Sequence, residues 1–558
     1  MLVREVTRRY QGALPTALGR LPAAVVLAVV LAGALQRWWA AAHTIGTLTS
    51  DGAVIGLMAL DLLHHGQLTA YMWGQSYGGS LEAVLTAGVF AIGGVGTSQL
   101  LATTALSSAL CALALWRAGR LIVGERAAQI GALAFWVWPA SFLWRSVKPG
   151  GTYMVGLALA LCTLGALAKL REGDDGWRRC CIAGLWCGLA IWSSPMPLVL
   201  FIPAAVWLIP TMRRLGWRLL AVVAGGIAGG LPAIWYGATH DWRNLHMPGY
   251  RADLLTGFPH RFLQFFPIEG PIAMGVRVEG SLAWIGGYFG EILAAAGAAA
   301  LLITASVVIS GRAPRCRLPV LTIALLPVLY GFNPLADHVG QGRYALFAVP
   351  MAALLIGVGL ERAGVLLQQR TAGRAQQQVA AGPSARSRGR WPQLVWIAGL
   401  ACACALGTIG LRDEPGRRLV SFPAPDVPMP VNDSALRALI AAHGVKDAYA
   451  SYWIAYRVMF ETGGRTEVTP YGYVRYPPIA AAVNTSPDPA YLFVTASRTV
   501  SSFEAWCHDH HVGYQTWHLG GFTVVRPATK VTPSMLSAGV LWAPARSRPS
   551  GASSPLRV

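Results

Sequence analysis

The chain predicts a polytopic α-helical membrane protein with a small α/β domain on its outer face. Hydrophobic residues make up 54% of its 558 positions and charged residues only 13%, with a mean hydropathy of +0.46. That leaves too few polar side chains to cover an ordinary globule. The apolar residues also gather in runs long enough to cross a ~30 Å hydrocarbon core. About eleven transmembrane helices follow, at 21–42, 98–116, 127–146, 152–170, 180–194, 196–210, 217–237, 284–310, 318–333, 344–361 and 392–411. The pair meeting at Ser193-Ser194-Pro195 is short, which suits tilted or partly re-entrant segments.

A net charge of +20 would suit a nucleic-acid partner, but its distribution does not. Arg4, Arg8, Arg9 and Arg20 precede the first span. Arg117, Arg120 and Arg126, then Lys169, Arg171, Arg178 and Arg179, then Arg213, Arg214 and Arg218 occupy alternate connections. Arg312, Arg315 and Arg317 follow, and six arginines from Arg362 to Arg390 fill the last such loop. This positive-inside pattern puts the N-terminus in the cytoplasm and residues 43–97, 147–151, 238–283, 334–343 and all beyond 411 outside. No nucleic-acid partner is expected. A leader this long before 21–42 suits an uncleaved anchor better than a signal peptide cut at Ala40-Ala41-Ala42. Four Lys against 41 Arg, with abundant Ala and Gly, point to a high-GC bacterial genome and hence to the cytoplasmic membrane.

Three regions are expected. Residues 1–411 form the bundle. Residues 412–530 form the outer domain, with Ala490–Val494 as a strand and capped helices at Asp433–His443 and Ser501–His511. Residues 531–558, rich in Pro, Ser and Arg, read as a disordered tail, and 366–391 as a flexible cytoplasmic loop. Of nine cysteines only Cys507 falls in the outer domain, so no disulfide holds that domain. His508-Asp509-His510-His511 resembles a metal motif but lacks a matching ligand elsewhere, and no metal ligands are assigned. The aromatic, basic runs Tyr452–Arg457 and Tyr471–Tyr476 suit membrane packing, glycan binding or plain core.

The most informative stretch is the first outer loop. Asp51 opens a segment in which Val54, Ile55, Met58, Ala59, Leu62 and Leu63 recur at helical spacing, as in a helix lying in the interface with its apolar face in lipid. The plain reading of Ser50-Asp51 is a helix cap; the functional one is a general base at the membrane–water boundary. Asp61, His64 and His65 read as a solvated face with an i,i+4 contact. Then come Tyr71-Met72-Trp73-Gly74-Gln75-Ser76-Tyr77-Gly78-Gly79-Ser80-Leu81-Glu82. A sugar needs aromatic faces and polar groups at its edge, so Trp73, Gln75 and Tyr77 are sugar-binding candidates. Glu82 is a second catalytic candidate, or a carboxylate stabilised at the start of an interfacial helix.

GLMALDLLHHG, WGQSYGGSLEA and the lone Asp after the first span resemble the first outer loop of GT-C glycosyltransferases, of the protein O-mannosyltransferase and aminoarabinose-transferase type. Trp144–Thr152 and Gly342-Arg343-Tyr344 add to the likeness, which covers about 20–360. The resemblance implies an inverting hexosyl or pentosyl transferase using a polyprenyl-phosphate sugar donor, with Asp51 at the acid/base position. Its acceptor would be an envelope glycan, a glycolipid or a protein. The family often has another acid in the second outer loop; this chain has Arg145-Ser146-Val147-Lys148-Pro149-Gly150-Gly151-Thr152-Tyr153. A basic loop there suits anion binding and leaves a divalent cation, Mg or Mn, open as cofactor.

Phosphate departing from the sugar needs cations. Arg343, then Lys148 and Arg145, are the candidates, with Tyr344 beside the sugar; basic residues at span ends also snorkel to lipid phosphates without any catalytic part. A transporter or flippase of a lipid-linked glycan is the alternative. It calls for ionisable groups deep in the bundle, and the sequence shows nearly none. A cell-envelope scaffold or polymer ligase is a third reading.

Overall fold

The computed structural model describes residues 21–43, 48–150, 152–245, 255–279, 282–309, 313–333, 342–377, 391–413, 429–430 and 433–541. Every predicted apolar run is helical. α1 (Ala23–His43) is followed by α2 (Ser50–His65) and α3 (Leu81–Gly93) of the first outer loop, then α4 (Thr97–Ile122). The run 127–146 is split at Trp138-Pro139 into α5 (Glu125–Val137) and α6 (Ala140–Arg145). α7 (Tyr153–Glu172), α8 (Trp177–Ser193) and α9 (Leu198–Leu215) follow, and 217–237 divides into α10 (Leu219–Gly229) and α11 (Leu231–Thr239). After the short turns of 258–274 come α12 (Tyr288–Ile309), α13 (Arg317–Gly331), α14 (Val349–Gln377) and α15 (Trp391–Asp413). Among the described residues, seven helical runs are long and apolar enough to cross a membrane.

Helices in lipid gain little from burying apolar surface against one another, so close packing has to hold them together. α8 and α10 cross with their backbones touching. A methyl group on Gly184 would stand 1.9 Å from the Val222 carbonyl oxygen, and one on Gly229 would stand 2.2 Å from that of Leu185. At its polar end α1 is fastened by side chains. Gln36 donates to Thr408 Oγ1 at 2.9 Å. Arg37, 4% exposed, donates to Ser108 Oγ at 3.0 Å and to the Gly33 and Trp136 carbonyls at 2.9 Å each. Its guanidinium also stacks 3.5 Å from the Trp136 ring. The sequence reading passed over this buried charge because it stands near a span end; its partners fix it as a structural tie.

The outer domain runs α16 (Ser434–Ala442), β1 (Asp447–Ala450), α17 (Tyr452–Glu461), β2 (Glu467–Pro470), α18 (Pro477–Thr485), β3 (Ala490–Val494), α19 (Arg498–Asp509), β4 (Tyr514–Leu519) and β5 (Phe522–Pro527). The sheet order is β2-β1-β3-β5-β4, with β1 parallel to β2 and β3 and the last two pairings antiparallel. β3 is buried at every position, as a central strand covered on both faces must be. One face is filled by Leu436, Ile454 and Val458, the other by Phe503, Val483 and the lone Cys507, which is free and buried.

Two expectations are corrected here. Disorder from 531 onward does not hold as far as Leu541, because Val531, Val540 and Leu541 are buried against the outer-domain core; residues 542–558 lie outside the described residues. The cytoplasmic loop 366–391 is helical up to Gln377, where α14 ends, and 378–390 lie outside the described residues.

Gly229→Leu should force α8 and α10 apart. Overpacking of this kind costs about 1–3 kcal/mol or more, so thermal unfolding in detergent should shift down by several degrees, whereas leucine at exposed Gly176 should leave it unchanged.

Candidate active site

α2 begins with a cap, but Asp51 is not the capping residue. Thr49 Oγ1 accepts from the Gly52 amide at 3.3 Å, which leaves the Asp51 carboxylate in the first turn, where the helix dipole favours an anion. That carboxylate meets the outer domain. Arg475, 5% exposed, donates from Nη2 to Asp51 Oδ1 at 2.6 Å. The Tyr452 hydroxyl donates to the same oxygen. Asp51 stays 39% exposed, and both of these bonds fall on Oδ1.

The loop before α3 builds the rest of the cradle. Arg475 Nη1 donates to the Trp73 carbonyl at 3.3 Å, and Arg475 Nε donates to the Tyr452 hydroxyl at 2.5 Å. With its amide oxygen turned toward the guanidinium, Gln75 accepts from Arg475 Nη1 at 2.7 Å and from Nη2 at 3.1 Å. The Tyr473 hydroxyl donates to the Gly74 carbonyl at 2.8 Å. Gly74 has φ +68°, and a methyl group there would lie 2.6 Å from the Arg475 Cα, so both turn and approach require glycine.

Burial opposes the Arg475 charge, yet Asp51 and the Tyr452 and Tyr473 phenols outweigh it and raise the guanidinium pKa. Burial first, and the Asp51 carboxylate second, push the Tyr452 phenol well above its usual range, so it remains a donor.

Several sequence candidates are used differently from what was expected. Trp73 is 7% exposed and stacks on Tyr476 with centroids 3.9 Å apart, so that face of its ring is closed to a sugar. Glu82 is 2% exposed and accepts from Thr104 Oγ1 at 2.9 Å. The apolar face of α2 lies under Tyr456, Met459 and Phe460 of α17 and not in lipid, because the outer domain covers it. Asp61 and His65 make the expected i,i+4 contact, at 2.9 Å. Tyr77 is half-buried in the same turn, next to Gly78, which abuts Thr152.

The second outer loop brings the cations in. Gly52, beside Asp51, packs against Pro149, and a methyl group on it would stand 3.2 Å from the Pro149 carbonyl oxygen. Lys148 is half-buried, with Nζ 5.5 Å from the Trp144 ring centre. Arg145 is buried and ion-paired with the equally buried Glu279. That pairing engages Arg145 Nη2 and gives a structural place to Glu279, which the sequence left unassigned. Arg343 lies within hydrogen-bonding reach of the Tyr153 and Tyr344 hydroxyls and 4.9 Å over the Tyr344 ring. Its buried Nε has no protein acceptor among the described residues. Below Tyr344, Ala345, Val349 and Leu355 line an apolar cavity of about 360 Å³ together with Phe265, Met274 and Leu326.

Among the described residues, no three His, Cys, Asp or Glu side chains come together to hold a metal ion.

Residues 81–235 match a family model described as dolichyl-phosphate-mannose-protein mannosyltransferase. A search of curated protein sequences gives no match. Among solved structures the chain is similar to ArnT from Cupriavidus metallidurans in the apo state, at 14% identity and a TM-score of 0.56, covering 90% of this chain and 97% of that one. The same protein bound to undecaprenyl phosphate gives 14% identity and a TM-score of 0.56, covering 91% and 98%. The likeness is one of fold: the chain has an ArnT-like GT-C architecture.

Arg475→Met should loosen the outer domain from the first outer loop. Losing its hydrogen bonds costs about 1–3 kcal/mol, read as faster amide exchange at both 50–58 and 452–460. Met at exposed Arg498 should change neither segment.

Proposed function

We propose that the protein is a glycosyltransferase that takes its sugar from a polyprenyl-phosphate donor and passes it, with inversion, to an acceptor hydroxyl on the outer face of a bacterial cytoplasmic membrane. The observation that carries this reading is Asp51: a half-exposed carboxylate in the first outer loop, held on one oxygen by Arg475 and Tyr452 and packed through Gly52 against the basic second loop. The match of 81–235 to a mannosyltransferase family model and the fold shared with an undecaprenyl-phosphate-binding protein support it.

In the reaction proposed, the acceptor oxygen attacks the anomeric carbon while the bond from that carbon to the phosphate oxygen breaks. The hydroxyl proton passes to Asp51 Oδ2, and the polyprenyl phosphate leaves with the bonding pair. Arg475 and Tyr452 orient the carboxylate, as a positioned base requires. The growing phosphate charge falls to Arg343, whose buried Nε offers an unused donor, and to Lys148. The donor's isoprenoid chain lies in the apolar cavity below Tyr344. Tyr77 and Tyr344 stand nearest the sugar, and Arg145 acts only through Glu279, holding the second loop. No step is routed through a divalent cation.

The test is sugar transfer from a panel of polyprenyl-monophosphate sugars. Wild type should turn over one of them, and Asp51→Asn, assayed well below its melting temperature, should lose ~10²–10⁴ in kcat, the usual worth of a general base; its melting temperature should fall, because the buried Arg475 loses its anion. Equal rates in the two proteins would remove Asp51 from the chemistry. Arg343→Ala should raise the donor KM with little effect on the acceptor KM; the reverse split would place Arg343 on the acceptor side.

A further inference from the structure

A second groove in the bundle has no part in this chemistry. It encloses about 870 Å³ between α4, α7 and α8, and reaches up to the start of α3. Leu85, Leu110, Leu113, Leu159, Ile182 and Trp186 line its length. Leu85, Leu110 and Leu113 are exposed, so the groove opens sideways, where a bilayer would meet it.

One end of this groove is charged. Arg117 and Arg120 stand one turn apart on α4, Lys169 lies in the last turn of α7, and Arg179 in the first turn of α8. No acid lines the groove. Arg120 meets Glu125 at 3.9 Å and Arg179 meets Asp174 at 3.1 Å, all about half exposed; such pairs hold weakly. Among the described residues Arg117 and Lys169 pair with no acid. By the charge pattern this is the cytoplasmic end of the bundle, opposite Asp51.

An apolar trough ending in cations is complementary to an amphiphile with an anionic head. We infer that the groove is a binding site for one acidic phospholipid of the inner leaflet, its acyl chains along α4 and α7 and its phosphate between Arg117 and Lys169. Each cation near such a head group favours the anionic lipid several-fold. The site is independent of the transferase reading, because its cations stand on α4, α7 and α8 and not in the loop that holds Asp51.

The test uses the full chain in mild detergent, titrated with phosphatidylglycerol and with phosphatidylcholine of the same acyl chains, and bound lipid is counted by native mass spectrometry. Wild type should retain phosphatidylglycerol roughly 30-fold more tightly. Arg117→Gln with Lys169→Gln should abolish that preference while leaving phosphatidylcholine retention and thermal stability as in wild type. Arg213→Gln with Arg362→Gln, an equal loss of charge away from the groove, should keep it. Equal retention of both lipids by wild type, or the same loss in the control pair, overturns the site. So does displacement of phosphatidylglycerol by an equimolar polyprenyl phosphate, which would make the groove a carrier-lipid site.

Discussion

Arg475 is almost wholly buried, and a guanidinium taken out of water is costly unless an anion meets it with good geometry. Asp51 is that anion, 424 positions earlier in the chain. Much of the outer architecture follows from this ion pair. It ties the C-terminal sheet to the helix that follows α1. Gly74 and Gln75 must bend around the guanidinium, and Tyr452 is brought onto the same carboxylate oxygen. A carboxylate held on one oxygen and open at the other is oriented without being consumed.

The remaining parts of the mouth are arranged by similar balances. Arg145 and Glu279 neutralise one another in a buried pair and so stiffen the second outer loop. Arg343 is flanked by Tyr153 and Tyr344, and among the described residues its buried Nε meets no acceptor. A cation with a spare donor beside an apolar cavity is suited to an anionic lipid head group. The two cations of the loop region therefore differ in use, although their sequence contexts look alike.

The bundle was legible because its signal is local. Apolar runs mark helices one segment at a time; the breaks at Trp138-Pro139 and Gly229-Gly230 escaped, where a helix ends inside an apolar run, and of about eleven expected spans seven helical runs among the described residues are long and apolar enough to cross. Asp51 and Arg343 stood out because each is a polar group placed where the membrane boundary gives few other reasons for it. Trp73 is buried against Tyr476 and Glu82 beside Thr104, and in sequence interface aromatics and helix-start acids look the same whether they face a substrate or another part of the protein. Arg475 and Tyr452 were seen only as members of aromatic, basic runs. What would have singled them out is the need of a half-buried Asp51 for a cation, which no nearby position supplies. The thermodynamic demand was readable, but the partner's identity was set by tertiary docking.

In the proposed reaction Asp51 and Arg343 face one site, joined by the two outer loops. The most direct measurement is a cryo-electron microscopy structure of the full chain with a polyprenyl phosphate bound. The expected result is phosphate density at Arg343 and Lys148, with the isoprenoid chain running below Tyr344 and open space from the phosphate to Asp51 Oδ2. Phosphate bound elsewhere, or protein packed between it and Asp51, would contradict the account.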